Sequence, residues 1–154
     1  MSLQIELAYD NLARVKELFL EYHAKLGIDL CFQSFQRELD TLPGKYAPPL
    51  GRLYTAAFGS DLAGCIALRP LDGNRCEMKR LYVREPFRGL GVGRALAEKV
   101  IADAKEMGYD AMLLDTLSSM KQAISLYRRL GFAEIEPYYH NPNEGVVFLG
   151  LGLR

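Results

Sequence analysis

The chain has 154 residues, 49% hydrophobic and 25% charged, which is typical of an ordinary globular protein with one domain. Nineteen basic residues balance nineteen acidic ones, and this neutrality argues against a general nucleic-acid binder. No apolar run approaches the roughly 18 residues of a membrane span, and three cysteines and two scattered histidines predict neither a disulfide framework nor a metal site. We therefore expect a single domain over 1–154, in the cytoplasm, without a signal peptide.

In the first half of the chain, the pattern of apolar and turn residues predicts a strand, two helices and three further strands. We expect Asp10 to cap the first helix and Gly27 to end it. The three strands are separated by short turns, one containing Asp72-Gly73, and such turns join antiparallel neighbours in a meander. The predicted elements are strand Leu3–Ala8, helices Asn11–Lys25 and Ser34–Leu42, and strands Arg52–Phe58, Leu62–Leu68 and Cys76–Val83.

The second half alternates helices with short strands. The predicted elements are helix Gly91–Met107, strand Ala111–Leu114, helix Met120–Leu130, and strands Ala133–Ile135 and Val146–Leu151. This alternation implies parallel pairing with right-handed crossovers. The predicted fold class is therefore α/β (α+β): a single mixed central sheet, an antiparallel meander followed by a parallel βαβ half, with helices on both faces.

A glycine-rich segment, Arg88-Gly89-Leu90-Gly91-Val92-Gly93-Arg94, follows a predicted strand and opens a predicted helix. Glycines allow a tight turn and leave main-chain amides uncovered, while the helix N-terminus adds partial positive charge. These properties together predict a pyrophosphate site. The flanks between Arg75 and Arg94 hold six basic and two acidic residues, an excess that favours a phosphate-rich ligand.

Other phosphate-binding motifs fit this segment less well. A P-loop requires Lys-Ser/Thr after its last glycine, where this chain has Arg94-Ala95. A dinucleotide fingerprint requires G-x-G-x-x-G and an acidic residue about 20 positions on. Asp115 stands at a suitable distance, but the glycines are spaced G-x-G-x-G and follow a meander. A turn without a ligand is the third alternative, although its glycines cost helix stability without a gain in packing.

Two motifs resemble those of the GCN5-related N-acetyltransferase (GNAT) family. Arg88–Gly93 is similar to the signature Arg/Gln-x-x-Gly-x-Gly/Ala, and Ala123–Phe132 is similar to the motif around the last helix of that family. The order of predicted elements resembles the family fold over nearly the whole chain. The resemblance implies the acyl-CoA N-acyltransferase fold and transfer of an acetyl group from acetyl-CoA to a primary amine of a small molecule or peptide. Homodimers are common among proteins that resemble this one, so a homodimer is possible here, whereas composition predicts no metal, nucleic-acid or membrane partner.

The resemblance also implies how acetyl-CoA is held, mainly by main-chain groups. This chain has Met120 in place of the family asparagine, so the polar contact either comes from Ser118 or Ser119 or is absent. The implied cofactor-binding residues are Leu81, Tyr82, Val83, Arg88, Gly89, Leu90, Gly91, Val92, Gly93, Arg94, Ser118 and Tyr127.

Two catalytic residues follow from the same resemblance. Tyr127 matches the tyrosine that protonates the departing thiolate, with an ordinary buried aromatic as the alternative. Glu77 matches a general base that takes the proton of the amine, with an ion pair to Lys79 or Arg80 as the alternative. Asp115 is a second candidate base or an anchor for the amine.

Several segments keep two interpretations. The turn Tyr138–Pro142 predicts a surface loop, and the alternative is that its tyrosines line the acceptor pocket. The aromatic residues of Cys31–Phe35 suit that pocket or the core equally, whereas Cys65 and Cys76 predict buried thiols. Two other functions remain open: an acyl-CoA sensor without chemistry, and a dinucleotide-binding oxidoreductase.

Overall fold

A computed structural model describes residues 2–27 and 34–154 of the chain. Within these ranges the chain forms one sheet with four α-helices. The strands are β1 Leu3–Leu7, β2 Arg52–Phe58, β3 Asp61–Leu71, β4 Arg75–Val83, β5 Ala111–Leu117, β6 Ala133–Glu134 and β7 Val146–Gly152. The helices are α1 Leu12–Leu26, α2 Phe35–Asp40, α3 Val92–Met107 and α4 Lys121–Arg129. No helix in these ranges combines the length and apolar character required to cross a membrane.

The sheet is mixed, with the strand order β1-β2-β3-β4-β5-β7-β6. Strands β1 to β4 pair antiparallel, which confirms the predicted meander, and β4 pairs parallel with β5 across the α3 connection. The predicted parallel pairing holds only for that pair, because β7 lies between β5 and β6 and runs antiparallel to both. A seven-residue β7 pairs along all of β5, whereas the two-residue β6 offers only a short ladder.

Helices cover both faces of the sheet, as predicted. Successive residues of β3 alternate between two apolar clusters, because side chains of a strand point to opposite faces in turn. We call these the α1 face, which packs against α1 and α2, and the α3 face, which packs against α3 and α4. Cys65 and Ala67 of β3 lie on the α1 face, and Ile66 and Leu68 on the α3 face.

The ends of α1 differ in how well the sequence predicted them. The N-cap is Asn11, whose side chain accepts a hydrogen bond from the Arg14 amide at 3.4 Å, so the prediction of Asp10 was wrong by one residue. An asparagine caps a helix as well as an aspartate does, and the two neighbours are equivalent in sequence. Gly27 ends the helix in a left-handed conformation, as predicted.

The sheet opens between β4 and β5. Their pairing covers only Arg75–Glu77 and Ala111–Leu113, although β4 continues to Val83 and β5 to Leu117. Beyond Glu77, β4 stays paired with β3, and β5 stays paired with β7. The two central strands therefore diverge, and the main chain of β4 from 78 to 83 has an open edge that faces the resulting gap.

Candidate active site

The glycine loop adopts the conformation that its composition predicts. Gly89 and Gly91 have φ angles of 80° and 81°, in the left-handed region that favours glycine. Gly91 is the N-cap of α3 and provides no side-chain hydrogen bond to the helix. The first amides of α3 are therefore left for another acceptor. Leu90 between the two glycines is 61% exposed, so the loop surface is open to solvent.

Contacts on either side hold this loop at the end of β4. The Arg88 guanidinium donates from Nε to the Val83 carbonyl oxygen at 3.1 Å. Val92 is buried in the core of the α3 face. A Cβ on Gly93 would lie 3.6 Å from Cγ2 of Val83, so helix and strand approach closely here. Arg94 lies exposed along α3, 3.5 Å from Glu98.

The strand that precedes the loop is irregular where the sheet opens. Arg80 has a φ angle of 59°, and the β3–β4 register shifts between Cys65 and Ala67. Such a bulge bends the strand and re-aims its residues. After it, Leu81 and Val83 pack on the α3 face and Tyr82 on the α1 face. The three predicted residues Leu81–Val83 thus lie on the open edge that leads to the glycine loop.

Two of the six basic residues that flank the loop, Arg80 and Arg84, pair with carboxylates of the protein itself. Arg80 donates to the Glu38 carboxylate at 2.9 and 3.0 Å, and Arg84 donates to the Glu21 carboxylate at 3.0 and 2.6 Å. Both arginines bind acidic residues of the first two helices and stabilise their packing on β4. This hydrogen bonding by Arg84 lowers the pKa of Glu21 below its ordinary value.

A cleft of about 770 Å³ lies beside β3 and β4 on the α1 face, and we call it the acceptor cleft. Glu77 lines it and is only 3% exposed. Its carboxylate accepts a hydrogen bond from the Tyr138 hydroxyl at 2.5 Å, and Arg69 Nη1 lies 3.5 Å away. Burial raises the pKa of Tyr138, and the neighbouring Glu77 charge raises it further, so this hydroxyl stays protonated and donates. Arg69 is thus within ion-pair distance of Glu77, whereas Arg80, one of the two partners named in the ion-pair alternative, donates to Glu38.

Asp115 lies on β5 just beyond the last β4–β5 pair, where the gap begins. Its carboxylate accepts hydrogen bonds from the Tyr139 hydroxyl and from the Asn141 amide, the latter at 2.9 Å. Sequence reasoning favoured a surface turn for the tyrosines, yet the structure brings Tyr138 and Tyr139 onto the two candidate bases. Both rings pack edge-on against Phe148 of β7. The predicted strand Val146–Leu151 was the feature of the sequence that could have indicated that this turn lies against the sheet.

Tyr127 belongs to the apolar cluster of the α3 face. It lies on α4, is 7% exposed and packs edge-on against Phe132. Burial raises its pKa well above the ordinary value, and Tyr22 and Asp115 add smaller contributions in the same direction. Tyr127 therefore lies on the face of the sheet opposite to the cleft that Glu77 lines.

Ser118 follows β5 and shares a shallow surface depression with α4 residues including Lys121 and Ser125. Its amide donates to the Gly145 carbonyl at 2.7 Å. Met120 is the N-cap of α4 without a side-chain hydrogen bond to the helix, and its Sδ accepts from the Thr116 hydroxyl at 3.6 Å. The side chain at position 120 thus packs locally, and two polar residues, Ser118 and Ser119, precede it in the chain.

The remaining candidates are structural or lie outside the described residues. Cys65 and Cys76 are buried as predicted, and burial raises the pKa of Cys76 to about 12. Of Cys31–Phe35, residues 31–33 lie outside the described ranges, and Phe35 is buried in the core of the α1 face. In the part of the chain that the structure describes, no group of three His, Cys, Asp or Glu side chains could hold a metal ion.

This mixed sheet, opened between its two central strands, is the acyl-CoA N-acyltransferase fold. A solved acetyltransferase of the GNAT family from Staphylococcus aureus superimposes with a TM-score of 0.81, at 25% identity over 99% of this chain and all of that one. An N-acetyltransferase from Thermoplasma acidophilum, solved in complex with coenzyme A, superimposes with a TM-score of 0.76 at 19% identity over 99% of both chains.

Sequence comparison identifies the family. The model of the acetyltransferase (GNAT) family matches residues 12–132. An uncharacterised N-acetyltransferase of Schizosaccharomyces pombe is 44% identical over 88% of this chain and 85% of its own length. The chain therefore belongs to the GNAT family of acetyltransferases. The dinucleotide-binding alternative has no support in this family or in the antiparallel meander that precedes the glycine loop.

Proposed function

We propose that the protein transfers an acetyl group from acetyl-CoA to a primary amine of a small molecule or peptide. The observation that carries the proposal is the continuity of three features: an open edge of β4, a glycine loop with uncapped amides at its end, and a cleft with a buried glutamate beside it. Membership of the GNAT family and the coenzyme A complex of a structural neighbour support the choice of acyl donor.

Acetyl-CoA fits the residues that are present. Amides from Gly89 to Arg94 are suited to the pyrophosphate, because the N-terminus of α3 has no side-chain cap to compete with an anion. The open edge at Leu81–Val83 offers main-chain groups to the amide-bearing arm of coenzyme A, much as a sheet edge accepts an added strand. When bound, acetyl-CoA supplies an activated acyl carbonyl and a thiolate leaving group.

Glu77 is the proposed general base. An amine with a pKa of about 10.4 is protonated near neutral pH and must lose a proton before it can attack a carbonyl. Glu77 lines the acceptor cleft at the point where β4 and β5 part, and its second oxygen lies 3.5 Å from Arg69 Nη1. The Asp115 carboxylate accepts hydrogen bonds from Tyr139 and Asn141, so we assign Asp115 the role of positioning these two residues.

Tyr127 is the proposed general acid. Its raised pKa keeps the phenol protonated at any pH at which the protein works, as a proton donor requires. The nitrogen–carbon bond forms as the carbon–sulfur bond breaks, Glu77 accepts the amine proton, and Tyr127 gives its proton to the departing sulfur. A main-chain amide of Leu81–Val83 is placed to polarise the acyl oxygen.

Direct transfer of the acetyl group to the amine is favoured over an acyl-enzyme intermediate on Cys65 or Cys76. Cys65 and Cys76 are buried, and desolvation raises the pKa of both thiols far above neutrality, to about 12 for Cys76. A buried, protonated thiol is a poor nucleophile.

Two measurements test the proposal. Titration calorimetry with acetyl-CoA and with NADH measures which ligand the loop binds, and we expect heat of binding with acetyl-CoA only. Release of free thiol is then followed with a panel of amines. Binding without thiol release from any amine would favour the acyl-CoA sensor, and binding of NADH alone would overturn the assignment.

A further inference from the structure

The acceptor cleft is lined by more basic than acidic side chains. Among the described residues that line it, five are basic and three are acidic. The basic residues are Arg37, Lys45, Arg69, Arg75 and Lys79, and the acidic ones are Glu38, Asp72 and Glu77. A protonated amine is repelled by such a surface unless the same molecule also carries negative charge.

One of the three carboxylates is already neutralised by a buried arginine. Both oxygens of Glu38 accept hydrogen bonds from Arg80, at 2.9 and 3.0 Å. The Arg80 side chain is 3% exposed, so this ion pair is shielded from solvent and persists in the folded protein. The positive excess presented to a ligand is therefore larger than the lining residues alone indicate.

The cations are ordered along the strands relative to Glu77. Arg69 of β3 lies directly opposite Glu77 in the β3–β4 register. Arg75 lies two residues before Glu77 on the same face of β4, about 6–7 Å away along the strand and on the side away from the glycine loop. A molecule whose amine is next to Glu77 can therefore place a carboxylate against these arginines while the amine faces the open edge.

Arg69 also has unused hydrogen-bonding capacity. Its Nε–H is buried and has no hydrogen-bond acceptor among the described residues, and its Nη1 is 3.5 Å from Glu77. Arg75 uses one donor, Nε, for the Asp72 carbonyl at 2.9 Å. The planar guanidinium group matches the two oxygens of a carboxylate, so this pair of arginines is suited to such a ligand.

We infer that the acceptor is a small amine that also carries a carboxylate, as an amino acid does, and that Arg69 and Arg75 bind this carboxylate. The inference rests on the proposed function, because it names the substrate class of the same cleft. Polyamines and other purely cationic amines are expected to be poor acceptors.

Matched acceptor pairs test the inference with the unaltered protein. Thiol release is measured with the L-amino acids and β-alanine, each beside its carboxamide, and with spermidine. Loss of charge-assisted hydrogen bonds to the carboxylate predicts kcat/KM about ten- to hundredfold higher for the best free acid than for its carboxamide. Carboxamides or spermidine that react as well as the free acids would overturn the inference while leaving the proposed function intact.

Substitution of Arg75 locates the interaction. Arg75→Gln should raise KM for the free acid about tenfold, so that the acid-to-carboxamide ratio falls toward one, and Arg75→Lys should give an intermediate ratio. Lys105→Gln is the control, because Lys105 is exposed on α3 across the sheet and its loss should leave the ratio unchanged. An unchanged ratio in Arg75→Gln would assign the carboxylate to other residues and refute the inference as stated.

Different experimental outcomes refute the proposed acetyl transfer and the inferred preference for a carboxylate. Absence of transfer to every acid, carboxamide and polyamine, in protein that binds acetyl-CoA, refutes the inference, and absence of transfer to peptide amines as well refutes the proposed function. Transfer to amines without preference for a carboxylate refutes only the inference. If Arg75→Gln does not fold, the acceptor pairs with the unaltered protein decide the question alone.

Discussion

Gly64 of β3 pairs with Val83 of β4 in the sheet. A Cβ at this position would meet the Tyr82 carbonyl oxygen at 2.4 Å and the Val83 Cα at 3.3 Å. Real Cβ contacts essentially never fall below 3.0 Å, so in Gly64→Ala the Tyr82 carbonyl must move by at least the difference, 0.6 Å. Because the obstacle is main chain within a sheet, it cannot rotate away as a side chain would.

The expected cost of Gly64→Ala is about 1–3 kcal/mol of unfolding free energy, the range for overpacking a well-packed interior. The same displacement moves Tyr82 and Val83, which we assign to acetyl-CoA binding, so we expect the Kd for acetyl-CoA to rise about tenfold, or 1.4 kcal/mol. Urea denaturation and titration calorimetry measure the two effects.

Gly152→Ala is the matched control. Gly152 also lies in the sheet, in β7, has no left-handed φ angle, and a Cβ there would meet no atom within 4 Å. Replacing it should be neutral or should stabilise the protein by up to about 1 kcal/mol, since alanine restricts the unfolded chain. If both variants unfold at the same urea concentration and bind acetyl-CoA equally, the steric reasoning is refuted.

The remaining predictions concern the loop, the two catalytic candidates and one ion pair. Gly91→Ala should weaken acetyl-CoA binding about tenfold by calorimetry, because a φ of 81° costs alanine about 1–2 kcal/mol. Tyr127→Phe should lower kcat about a hundredfold while leaving the Kd for acetyl-CoA nearly unchanged. Glu77→Gln should lower kcat about a hundredfold at pH 7 and less near pH 10, where more of the amine is already neutral. Glu21 has a pKa below its ordinary 4.5 through Arg84. The stabilisation by Glu21 is measured in urea as the difference in unfolding free energy between the unaltered protein and Glu21→Gln. It is present above pH 4.5 and is lost as the pH falls through the pKa of Glu21 in the folded protein.

Two control variants remove a tyrosine hydroxyl and a glutamate carboxylate from positions outside the candidate active site. Tyr109→Phe loses a 2.7 Å hydrogen bond to the Leu50 carbonyl and about 1 kcal/mol of stability, but it should keep full turnover. Glu106→Gln removes an exposed carboxylate of α3 and should alter neither the pH–rate profile nor the pH dependence of stability. Full activity in Tyr127→Phe would remove its role as an acid, and a Glu77→Gln loss that is equal at every pH would place the base elsewhere. A Glu21→Gln difference that does not begin to fall as the pH is lowered below 4.5 toward acid unfolding would contradict the linkage to Arg84.

Features that depend on near neighbours in sequence were predicted well. The bounds of β2 were correct at both residues, and α3 was predicted within one residue of its start. Gly27 and Gly108 end α1 and α3 in the left-handed conformation because glycine adopts it without a Cβ clash. The strand–glycine loop–helix unit was likewise predictable, since its conformation depends on residues within one turn of Gly91.

Features that depend on distant contacts were predicted poorly. Tyr138 and Glu77 are 61 residues apart, and Arg80 and Glu38 are 42 apart, so no local pattern relates them. The same holds for β7, whose place between β5 and β6 depends on the competition of two strands for one edge. The basic flank shows the difficulty most clearly, because a run of charges does not indicate which carboxylates will fold against it.

By itself, the sequence determined where the helices and strands form and where an anion can meet uncovered amides, because backbone preferences and hydrophobic periodicity act over a few residues. Only the tertiary structure decided that the sheet opens between β4 and β5, that Glu77 and Tyr127 lie on opposite faces of the sheet, and that Arg69 and Arg75 line the acceptor cleft. These relations arise from strand pairing and side-chain packing between segments that are far apart in the chain, and their free energies exist only once those segments meet.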